Sequence, residues 1–117
     1  MPSSNTSASD LDLLQGTLEV MILKALSWGA MHGFGVARWI RQTTDDELQI
    51  EDSALYPALH RMEMRGWLEP EWRTTENNRR AKYYRLTPEG RKQLRAQSKS
   101  WSHLVASVGL VLEATEP

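Results

Sequence analysis

Between residues 53 and 82 the sequence gathers side chains that bind anions and hydrogen-bond to flat polar edges. Ser53, Tyr56, Pro57, His60 and Arg61 recur at helical spacing, on the side away from Leu55, Ala58, Leu59 and Met62. Hydroxyl, imidazole and guanidinium groups so arranged can read base edges or hold phosphates. Further along, Asn77, Asn78, Arg79, Arg80 and Lys82 crowd a short polar turn. Long cations at such a tip suit a phosphate backbone, where each neutralised charge releases a counterion. Every one of these residues also has a plainer reading. Tyr56 could pack under a neighbouring hairpin, Arg61 could pair with a carboxylate, and the turn could simply be solvated.

Other chemistries find little support. The chain has no cysteine, which excludes disulfides, thiolate metal sites and cysteine nucleophiles and fits a reducing cytoplasm. His32, His60 and His103 are not spaced as metal ligands. There is no glycine-rich phosphate loop and no Ser/His/Asp arrangement, and Glu63 and Glu76 form no evident catalytic pair. The expectation is a non-enzyme with no cofactor and no metal. No apolar run is long enough to span a bilayer, so no membrane partner is expected. The net charge of −1 over 117 residues argues at first sight against a polyanionic partner, but it is an average. Residues 1–52 carry three basic against eight acidic residues, residues 53–95 ten against five, and residues 96–117 one against two. The basic excess falls on the segment with the candidate contact residues, an asymmetry that hints at nucleic acid.

The elements that would position those residues can be read from periodicity and punctuation. Residues 1–9, rich in Ser, Asn and Thr, read as a disordered tail. Residues 10–15 could form a helical turn docking Leu11 and Leu14. Residues 17–28 predict a first helix with Thr17 as its cap and Gly29 as its stop. A turn at residues 32–35 (HGFG), including a His32 packed against the first helix, leads into a second helix over 33–43. Residues 44–47 read as a loop and 48–50 as a short extended piece. Asp52 or Ser53 would then cap a third helix reaching about Arg65, with Pro57 inside it. Residues 67–74 and 79–86 predict a β-hairpin with an edge strand at Pro70. Its second strand alternates Lys82, Tyr84 and Leu86 against Ala81, Tyr83 and Arg85. Thr87-Pro88 is a strong helix start, and the helix runs to about Glu113, followed by a tail over 114–117.

In that last helix Leu94, Gln97, Trp101, Leu104, Val108 and Val111 follow a 3-4 spacing. This is the pattern of a helix–helix seam, and a lone chain of this size could not cover it. A homodimer is therefore expected, with Leu14, Leu18, Met21 and Ile22 of the first helical region contributing. The fold class is mainly α, a winged helix-turn-helix over residues 10–86. Its wing is two-stranded, and residues 87–113 form a long C-terminal dimerisation helix. Trp28, Trp39, Trp67 and Trp72 read as core or domain-edge packing.

The strings at residues 14–18 (LLQGTL), 32–35 (HGFG), 53–63 (SALYPALHRME), 66–68 (GWL) and 79–87 (RRAKYYRLT), with Glu89-Gly90, resemble the PadR family of transcriptional regulators. The likeness spans about residues 13–112. It departs from the common pattern at Ser53, where glycine is frequent, and at Met62, where leucine is frequent. It implies a dimeric repressor on an inverted-repeat operator in double-stranded DNA, of the shorter subgroup with one C-terminal helix. It also implies Tyr56 as a residue that approaches DNA, and Lys82 with its basic neighbours as wing contacts. A small aromatic effector stacked on Trp101 is a further implication, with ordinary interface packing the plainer reading. A different class stays open: a winged-helix protein-interaction module without DNA contact, for which the acidic first half could serve.

Overall fold

A computed structural model describes residues 15–117. Helix α1 (Gln15–Ala25) runs into a 3-10 turn at Leu26–Trp28, and a two-residue strand, β1 (Met31–His32), leads into α2 (Gly33–Thr43). Helix α3 (Asp52–Met64) precedes the strands β2 (Leu68–Thr74) and β3 (Arg80–Leu86), and α4 (Pro88–Glu113) closes the chain. Leu14 and the tail over residues 1–9 lie outside the described residues, as does most of the helical turn expected over 10–15. The chain is a winged helix, with three helices packed together and an antiparallel sheet at their edge.

The core explains why α3 sits where it does. Leu55, Ala58, Leu59 and Met62 point one face of α3 into a cluster with Leu18, Ile22 and Leu23 of α1, Leu26, and Val36 and Ile40 of α2. Burying each leucine or isoleucine is worth roughly 1.5–3 kcal/mol, so three of α3's four turns are anchored and its opposite face is held outward. Gly66 stops the helix with φ at 79°, and Leu68 returns to the core.

Three local expectations are corrected. Thr17 lies inside α1, so it is not that helix's cap. Glu51 is the N-cap of α3, which leaves Ser53 exposed in the first turn. The sheet has three strands in the order β1-β3-β2, because Met31 and His32 pair with Tyr84 and Tyr83. His32 thus belongs to a strand end, and its Nδ1 accepts the Gly35 N–H at 2.9 Å to cap α2. Two residues are too few to show the period-2 alternation from which a strand is read. Pro70 lies on the edge strand β2, where its missing N–H costs no ladder bond.

The start of α4 is built on contact rather than propensity alone. Thr87 Oγ1 donates to the Gly66 carbonyl at 2.6 Å and accepts from the Gly90 N–H at 3.0 Å. A Cβ on residue 90 would lie 2.1 Å from the Trp67 carbonyl oxygen, so only glycine lets the helix come this close to the strand entry. Twenty-six residues at 1.5 Å each give α4 a length of roughly 39 Å. Beyond Gln97 its side chains are exposed apart from Gly109, and the molecule spans 60 × 34 × 21 Å. Among the described residues no helix is long and apolar enough to cross a membrane.

Candidate nucleic-acid interface

The outward face of α3 carries Ser53, Tyr56, Pro57 and His60, all exposed and one helical turn apart. Pro57 has no N–H to give the Ser53 carbonyl, so that turn is held by packing of its neighbours. Tyr56 is 45% exposed, and its ring lies against the start of α2. A Cβ on Gly33 would meet Tyr56 Cε1 at 2.7 Å, so glycine at 33 makes room for the ring. Burial raises the Tyr56 pKa, with the Asp52 charge adding to it, so the hydroxyl stays protonated and able to donate at neutral pH.

Facing α3 is the wing. β2 and β3 pair from Leu68↔Leu86 out to Thr74↔Arg80. The tip closes with Thr75 N–H donating to the Arg79 carbonyl at 2.7 Å and Asn78 at φ 59°, a left-handed position that asparagine tolerates. Between wing and helix runs a groove of about 460 Å³ lined by Gly33, Phe34 and Tyr56 on one side and by Thr75, Arg79, Arg80 and Lys82 on the other. The structure thus brings Tyr56, Arg79, Arg80 and Lys82 to one cleft, with Asn78 at its exposed outer end.

The charges are not all available. Arg61 Nε lies 3.7 Å and Arg65 Nη1 3.1 Å from Glu19 Oε2, and the Glu19 side chain is only 8% exposed. Arg61 thus shares the Glu19 carboxylate of α1 with Arg65, the plainer of the two readings of this arginine. Lys82 Nζ is 3.0 Å from Glu63 Oε1 and lies 5.3 Å from the Tyr84 ring centroid. The Glu63 carboxylate beside it holds the Lys82 ammonium above the ordinary lysine pKa. Arg85 pairs with Glu69 at 3.1 Å and Arg73 with Glu71 at 2.7 Å. Among the described residues Arg79 and Arg80 make no ion pair; Arg80 instead stacks over Trp72 at 5.2 Å. The basic excess of the segment thus narrows to two wing-tip arginines and to Arg91, Lys92 and Arg95 on α4.

Two residues of this face escaped the sequence reading. Phe34 is 65% exposed on the rim of the groove, and Arg38 lies over its ring at 5.8 Å. The signal was present, since Phe34 falls off the Val36/Ile40 stripe of α2. Glu19 carries no comparable signal, because nothing in a sequence marks a carboxylate as the partner of arginines 42 and 46 residues away. Trp28 and Trp72 are exposed, Trp28 lying 5.5 Å from Trp39.

The expected seam residues divide. Leu18 and Ile22 are 2% and 0% exposed within the chain's own core, so neither can offer surface to a partner; a stripe at helical spacing does not say which neighbour covers it. Met21 and Leu94 pack partly against that core. Trp101 (40% exposed), Leu104, Val108 and Val111 stand open to solvent. Gly16, Thr17 and Val20 of α1 face Gln97, Ser100, Trp101 and Leu104 of α4 across an apolar groove of about 420 Å³. It is therefore the Thr17/Val20 side of α1 that borders the start of the exposed apolar row on α4.

Residues 22–96 match the Transcriptional regulator PadR-like family. The fold is similar to that of a transcriptional regulator from Clostridium thermocellum, at 30% identity and a TM-score of 0.76, covering 84% of this chain and 95% of that one. A PadR family transcriptional regulator from Eggerthella lenta is 32% identical with a TM-score of 0.74, and 92% of each chain is covered. An uncharacterized protein of Lysinibacillus sphaericus is 26% identical over 105 residues, which is 90% of this chain and 96% of its own length. With the third-helix face, the wing and the capped long helix all in place, the chain belongs to the PadR-like family of transcriptional regulators.

Proposed function

We propose that this regulator is a homodimeric repressor that binds an inverted-repeat operator in double-stranded DNA in the cytoplasm. The observation that carries the reading is the pairing of an outward α3 face (Ser53, Tyr56, Pro57, His60) with a wing tip whose Arg79 and Arg80 have no carboxylate partner among the described residues. Helix α3 would enter the major groove, with the Tyr56 hydroxyl and His60 imidazole at base edges or phosphates. The wing tip, with Asn78, would lie on the flanking backbone. The second copy would cover Trp101, Leu104, Val108 and Val111, and pairing would set the two α3 helices about 34 Å apart to meet successive major grooves.

Repression would be relieved by whatever favours another dimer geometry, since an effector acts only through its differential affinity for the two states. Packing of Trp101 against the second copy is favoured. A flat aromatic effector stacked on its indole is the second reading, supported by the groove beside Val20 and Leu104. The test is a titration of DNA from upstream of the protein's own gene against random duplex at several salt concentrations. Sequence-preferring binding that weakens with salt is expected. Binding to neither duplex would leave the protein-interaction module as the better reading.

A further inference from the structure

Resting on the DNA-binding reading above, we propose that Lys82 and Glu63 are positioning residues, a clamp that sets the wing against α3, and that phosphate neutralisation by the wing falls to Arg79 and Arg80. The sheet shows why a clamp is needed. β1 covers only Tyr83 and Tyr84 of β3, so among the described residues the wing from the Lys82↔Trp72 pair outward is a two-stranded ribbon with no third strand behind it. A lone two-stranded ribbon has little stability of its own. Lys82 is the first residue past that support, and its ammonium reaches back to Glu63 at 3.0 Å. Glu63 follows Met62, which is fully buried, so the carboxylate is mounted on an anchored stretch of α3. Both side chains are mostly covered, at 32% and 23% exposed, and the ammonium also rests over the Tyr84 ring. The other charged contacts of the outer wing, Arg73 with Glu71 and Arg80 with Trp72, stay within the hairpin. All three cations line the groove, Lys82 partly covered toward its base and Arg79 and Arg80 exposed toward the tip.

A neutral Glu63–Lys82 unit adds no net cation to the interface, and this separates a clamp from a phosphate contact. The first measurement is amide hydrogen exchange of the free full-length protein, in Glu63→Gln, Lys82→Met and the double variant. A clamp predicts that amides of residues 72–74 and 80–82 exchange about fivefold faster in each single variant, the upper range for a partly exposed pair. The double variant would be no faster than either single one, because one interaction has been removed in all three. Unchanged or additive rates overturn the clamp. The second measurement is the salt dependence of operator binding. The double variant should bind more weakly yet keep the wild-type slope, whereas Arg79→Ala should lower the slope by about one unit. A slope that falls by about one unit in the double variant overturns the proposal and returns Lys82 to the phosphate. Wild-type protein that binds no DNA refutes the DNA-binding reading alone, and the exchange measurement still decides the clamp.

Discussion

Gly33 and Tyr56 act as one unit. The space left by a missing Cβ holds the Tyr56 ring, and the ring is half-exposed at the far end of a side chain that can swing away. Gly33→Ala should therefore cost little stability, under about 1 kcal/mol, yet weaken operator binding as much as Tyr56→Ala, since the ring is pushed from the groove. Melting curves together with DNA titrations check this, and a large loss of stability with normal binding would contradict it. Glu19 presents the opposite case. Its carboxylate is buried between Arg61 and Arg65, so Glu19→Ala should destabilise the fold by about 2 kcal/mol through lost charged hydrogen bonds. Urea denaturation would measure it. For Lys82 the sign follows from its raised pKa. At neutral pH the Glu63 pair contributes fully, and it fades as the pH climbs from the ordinary lysine value of 10.5 through the higher folded value. The stability difference between wild type and Lys82→Met should accordingly shrink as the pH rises into the alkaline range.

At the scale of elements, the junction of wing and long helix is the least tolerant point. Thr87 ties the start of α4 to the carbonyls of Gly66 and Trp67, and Gly90 lies against the latter. The obstacle here is backbone, which cannot rotate aside as Tyr56 can. Gly90→Ala should destabilise by about 1–3 kcal/mol, the range for overpacking, and should displace α4 from the wing base. Thermal melting gives the first quantity, and the oligomeric state of the variant shows whether the displacement reaches the seam. The long helix, the third helix and the hairpin were all legible beforehand, because each has a run of periodic residues bounded by Gly, Pro or Thr. The strand β1 was not, since its identity lies in pairing with residues some fifty positions away.

For the whole molecule, the exposed row of Trp101, Leu104, Val108 and Val111 on a helix of roughly 39 Å is difficult to reconcile with a solitary chain. Leu104→Asp with Val108→Asp should yield a monomer by sedimentation while leaving the winged-helix core folded, because neither residue touches that core. Operator affinity should fall steeply, as each α3 would then bind a half-site alone. A variant that stays dimeric would move the interface elsewhere.

Residue types and their spacing determined the fold class, the position of α3, its outward face and the wing, since these rest on local periodicity and on turn and cap residues that act within a few positions. The family resemblance also lay in the sequence, carried by several motifs in the right order. Tertiary structure alone decided which charges are free and which hydrophobic residues are spare. Arg61 and Lys82 look like Arg79 and Arg80 in a sequence, yet among the described residues two meet carboxylates and two do not. Leu18 and Ile22 look like Leu104 and Val108, yet the first pair fills the core and the second faces solvent. The physical reason is the same in both cases. Ion pairing and burial depend on what the fold brings close from distant parts of the chain, and periodicity records only the side on which a residue lies.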